Sequence, residues 1–77
     1  MPTIFIFEGL KFNIYFNDHQ SPHVHVTKNG VEAVFQLSPT ICILKSSLSP
    51  KDEKKARSVI EEKYEDIMHA WEVNQNV

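Results

Sequence analysis

Asn29-Gly30 constrains this chain more than any other pair of residues in it. The dipeptide stands between HVHVTK (23–28) and VEAVFQL (31–37). A two-residue type I′ turn needs positive φ at both central positions, which Asn and Gly tolerate better than other residues. With that turn, Lys28 faces Val31, Thr27 faces Glu32, Val26 faces Ala33, His25 faces Val34, Val24 faces Phe35 and His23 faces Gln36. The core-type pairs Val26/Ala33 and Val24/Phe35 then share one face of the hairpin. His23, His25, Glu32 and Gln36 share the other, with Val34 among them as an exposed apolar residue. A slip of one residue would send every side chain to the wrong face, so turn chemistry and hydrophobic pattern specify one register.

The rest of the chain reads around this hairpin. TIFIF (3–7) is β-branched or aromatic throughout and predicts a strand, and EGL is a turn. In KFNIYFN (11–17), Phe12, Ile14 and Phe16 alternate with Lys11, Asn13, Tyr15 and Asn17, the period-2 pattern of a half-buried strand. DHQSP is a loop, and ICILK (41–45) predicts a further strand. Ser49 is a good N-cap and Pro50 suits the first helical position. Ala56, Val59, Ile60, Tyr64, Ile67, Met68 and Trp71 then recur at helical spacing and make one apolar stripe. The expectation is an α+β fold: an antiparallel sheet of about five strands with one long C-terminal helix across one face. Residues 1–77 form a single domain, with no repeat, low-complexity tract or linker.

Charge and cysteine usage limit the function. The net charge is −2, which argues against broad phosphate binding. Residues 1–50 are neutral, 51–57 (KDEKKAR) carry +2, and 58–77 carry −4. Nucleic acid as a partner therefore rests on one small basic cluster, which is better explained as a solvated helix face. In a single helix, bases first and acids last oppose the dipole, at a cost of about a few tenths of a kcal/mol each. The one cysteine, Cys42, rules out an internal disulfide and suits a reducing compartment. The start lacks the basic region and cleavage site of a signal peptide, and no apolar run approaches a membrane span. The expected location is the cytoplasm, with no membrane partner.

Three histidines fall within NDHQSPHVHV (17–26), and they carry the candidate chemistry. His23 and His25, at i and i+2 of one strand, project together, and Glu32 lies diagonally across from His25. His19 and Asp18 belong to the preceding loop, which Pro22 stiffens. One reading is a metal site: His23, His25 and His19 holding zinc or another divalent ion, with Asp18 or Glu32 as other candidates for the third ligand. A second is metal-free acid–base catalysis by His23 and His25, with Glu32 as the orienting carboxylate. The third is a structural or partner-contacting face. Trp71, Met68 and Tyr64 read as core, and His69, off the stripe, as solvated.

MPTI, FNIYFNDHQSPHVHV, EAVFQL and EDIMHAWE resemble a small bacterial family known only as domain of unknown function 4160. Its members look like M-P-T-I at the start, P-H-h-H-V (h apolar), E-A-x-h, and a C-terminal helix ending near A-W. The positions carried over are Pro22, His23, His25, Val26, Glu32, Ala33 and Trp71. Where many members have a lysine followed by an aromatic, this chain has Val34-Phe35, which removes a charge from the histidine face and weakens a role with phosphate or nucleic acid. The resemblance implies a binary partnership like a toxin–antitoxin pair, because members look like neighbours of another small protein. The leading expectation is thus a small interaction protein whose face around His23, His25 and Glu32 meets a protein partner. The alternative is a small hydrolase or nuclease using that cluster. Unpaired edge strands also leave a homo-oligomer open.

Overall fold

The computed structural model describes residues 3–14 and 21–75. They form five strands and two helices. The strands are β1 (Thr3–Phe7), β2 (Leu10–Asn13), β3 (His23–Lys28), β4 (Val31–Gln36) and β5 (Cys42–Ser46), and the helices are α1 (Pro50–Glu62) and α2 (Tyr64–Gln75). The sheet runs β1-β2-β3-β4-β5 with every neighbour antiparallel. The α+β class and the strand count match the sequence reading. Of the predicted strand 11–17, residues 15–17 lie outside the described residues.

The central hairpin has the register that Asn29-Gly30 dictates, pair for pair from Lys28↔Val31 to His23↔Gln36. Asn29 and Gly30 have φ of 49° and 82°, the positive values a type I′ turn requires. The β1–β2 turn uses the same device, with Glu8 at φ 48° and Gly9 at φ 84°. Both turns therefore lie at one end of the sheet.

One face of the sheet carries Leu10, Phe12, Val24, Val26, Ala33 and Phe35, all fully buried. Phe5 extends this layer by stacking on Phe12 at 4.6 Å between ring centroids. Ala56, Val59 and Ile60 of α1 and Ile67 and Trp71 of α2 complete the same core. The predicted stripe is thus the packed face. Ser49 caps α1 as expected, its hydroxyl accepting from the Asp52 amide at 3.2 Å.

The single long helix is not what forms. The helix is interrupted at Lys63, whose φ of −107° and ψ of 25° leave the helical region. The i→i−4 bonding continues across the break, from Lys63 N–H to Val59 O at 2.9 Å and from Ile67 N–H to Lys63 O at 3.0 Å. Neither proline nor glycine marks the place, so the stripe alone cannot reveal it. A tertiary contact sits there instead: the Tyr64 hydroxyl donates to the Leu37 carbonyl at 2.6 Å, tying the start of α2 to the end of β4. The interruption also changes the charge argument. Glu65 and Asp66 belong to the first turn of α2, where acids favour the dipole. Among the described residues, no helix is long and apolar enough to cross a membrane.

Candidate functional site

The face opposite the core layer holds the residues of the other strand parity. One row runs Asn13, His25, Val34, Lys45 across β2 to β5. The next row, towards the turns, runs Ile6, Lys11, Thr27, Glu32 across β1 to β4. His23 and Gln36 lie on the other side of the first row.

His23 and His25 are brought together as the alternation requires. Their ring centroids are 5.1 Å apart and the planes meet at 63°. Each ring is held through Nδ1. The Nδ1 of His23 lies 2.8 Å from the Ser21 carbonyl, and that of His25 lies 3.0 Å from Glu32 Oε2. A carbonyl and a carboxylate only accept, so both Nδ1 atoms donate, which leaves Nε2 as the lone-pair nitrogen in each neutral ring. Glu32 reaches His25 along the diagonal, as the register predicts. Its second oxygen stands 3.7 Å from the Lys45 ammonium.

The burial of this face departs from the sequence reading. His23 is only 4% exposed and Val34 only 7%. The His25 side chain retains 12%. Val34, expected as an exposed hint of a partner surface, is buried. Part of the reason is Trp71, whose indole centroid lies 5.0 Å from the His23 ring. The helix stripe therefore packs against a histidine that alternation assigns to the polar face. Asn13, also buried, extends the polar network by donating through Nδ2 to the Lys11 carbonyl at 3.3 Å and Thr27 Oγ1 at 3.4 Å. Asn13 and Lys45 are not among the site candidates that the sequence offers: alternation along β2 puts Asn13 beside His25, but only the irregularity at Leu44 brings Lys45 opposite Val34 on this face.

The proposed metal ligands are not all among the described residues. His19 and Asp18 lie outside the described residues. Among the described residues, no three His, Cys, Asp or Glu side chains group as a metal ion needs. A zinc site takes at least three protein ligands, and the described part supplies two imidazoles with Glu32 already bonded to one of them. His69 is exposed, as expected for a residue off the stripe.

Comparison with curated proteins and with solved structures finds no match. The family described as Domain of unknown function (DUF4160) does match, over residues 9–72. That span takes in the strands β2 to β5, both histidines, Glu32 and Trp71, and the chain belongs to this family.

Proposed function

We propose that this chain is a small cytoplasmic interaction protein, one component of a two-gene, toxin–antitoxin-like pair. The observation that supports it is the gradient across the polar sheet face. At one end the face is covered: His23, Asn13 and Val34 are buried. At the turn end it is open, with Lys11 exposed and Thr27 and Glu32 half-buried. Lys45 is exposed alongside them. A protein partner docks on this open polar part, and the half-buried His25 holds Glu32 in place at its border. The pair Lys11→Glu with Lys45→Glu reverses the charge of the surface without touching the core. Co-purification with the product of the adjacent gene tests the reading. Retention of the partner by wild type and its loss in the double variant is the expected result. A chain that remains solitary beside the co-expressed neighbour rules the reading out.

A second reading has its own observation, the two anchored imidazoles. Both rings are tied through Nδ1, and the Glu32 carboxylate fixes the orientation and tautomer of His25, leaving the lone pair on Nε2. A small bacterial hydrolase or nuclease would use His23 and His25 for proton transfer, with Glu32 as the positioning carboxylate and zinc or another divalent ion as the optional cofactor. Glu32→Gln discriminates, because it retains size and an acceptor oxygen while removing the charge. An enzyme loses about 10- to 100-fold in activity on such a change to a supporting carboxylate. An interaction protein shows unchanged metal content and no turnover to lose.

A further inference from the structure

The two edges of the sheet differ in kind. β5 carries the defences that keep sheet edges from pairing: the charged Lys45, and a register shift that leaves Leu44 as an extra residue opposite Val34 and Phe35. β1 has neither over its last three residues. Its register shift lies at the strand start, between Thr3 and Phe5, and Phe5, Ile6 and Phe7 pair regularly with Phe12, Lys11 and Leu10. The strand TIFIF contains no charge, no proline and no glycine. Ile6 is 61% exposed and Phe7 is exposed as well. Among the described residues, no strand lies on the outer side of β1.

The regular run Phe5-Ile6-Phe7 is a palindrome. From this we infer that β1 is the interface with a second copy of this chain. The two β1 strands pair antiparallel about a two-fold axis through Ile6, joining two sheets into one of ten strands. Ile6 then faces Ile6 of the other copy, and each Phe5 faces the other copy's Phe7. Phe5 and Phe7 share the parity of Phe12 and Leu10, so four phenylalanines meet on the helix-covered side and extend the Phe5–Phe12 stack. Aromatic cross-strand pairs of this type are among the favourable ones. Ile6 meets its mate on the opposite side. A two-fold axis requires a surface that complements itself, and the palindrome supplies one. The exposed Lys11 residues, each paired with Ile6 in its own sheet, do not meet across the axis. They sit three strand spacings apart, roughly 14 Å, beyond the screening length at physiological salt.

Sedimentation of the full chain at high micromolar concentration tests the inference. Wild type is expected to sediment at twice the chain mass. Ile6→Lys puts two ammonium groups opposite each other across the axis and is expected to weaken self-association by at least ~10-fold. Ile6→Glu does the same with carboxylates. Because the residue is exposed, both variants are expected to keep the wild-type circular dichroism spectrum. Mixing them restores the dimer, because at a self-facing position each mixed dimer has one attractive pair where each single-variant dimer has one repulsive pair. Leu44→Lys on the other edge leaves the dimer intact. A monomeric wild type, a dimer indifferent to Ile6→Lys, failure of the mixed variants to re-pair, or dissociation by Leu44→Lys each overturns the inference.

Discussion

Glu32 Oε2 accepts a hydrogen bond from His25 Nδ1 at 3.0 Å, although the two residues are not a cross-strand pair. The bond runs along the diagonal of the β3–β4 hairpin and sits where the covered part of the polar face gives way to the open part. It selects one imidazole tautomer, because a carboxylate accepts only from Nδ1–H.

Replacing Glu32 with leucine removes that acceptor. The expected outcome is a folded protein in which neutral His25 no longer holds the single Nδ1–H tautomer. Long-range nitrogen–proton correlation spectra of the imidazole read this directly. Since Glu32 is half-exposed, the stability change is expected to stay within about 1 kcal/mol.

Lys28 and Asp52 contribute to the acid response of the fold. The Lys28 ammonium donates to both carboxylate oxygens of Asp52, at 3.2 and 3.3 Å. That hydrogen bond is the main reason the Asp52 carboxyl lies below its usual range. Desolvation pushes the other way, and the charge of Lys28, the Ser49 hydroxyl and the charge of Lys55 assist the lowering. A depressed folded value contributes stability that is whole above the unfolded value of about 3.9 and drains away as pH falls through the folded one. Lys28→Met is therefore expected to flatten the loss of stability with acid. Urea unfolding of both proteins between about pH 5 and pH 2 checks it.

Gly30 is required for its backbone. At φ 82° a Cβ would meet no atom within 4 Å, so sterics against the rest of the fold are not the issue. The positive φ alone sets the cost of Gly30→Ala, about 1–2 kcal/mol. Chemical denaturation measures it, and Asn29→Gly is expected to leave the turn in place.

Trp71 joins the helix layer to the histidine row. Trp71→Ala empties a core position beside His23 and is expected to cost about 3–5 kcal/mol. For a domain of this size that is a large part of the total stability. Thermal unfolding followed by far-ultraviolet circular dichroism gives the value.

The hairpin register, the α+β class, the Ser49 cap and the pairing of His25 with Glu32 were all legible in the residues. Each follows from local rules: positive φ at Asn29-Gly30, side-chain alternation along a strand, and the 3.6-residue stripe. Three things were not legible, and only the tertiary structure decided them. Lys63 interrupts the helix without proline or glycine, where Tyr64 finds the Leu37 carbonyl, a partner 27 residues away. Val34 is buried although alternation puts it on the polar face. His23 is buried too, because Trp71 packs against it from a helix the strand pattern cannot see. Alternation says which side of a sheet a residue points to. Whether that side is covered depends on where distant elements pack, and no local pattern in the chain encodes that.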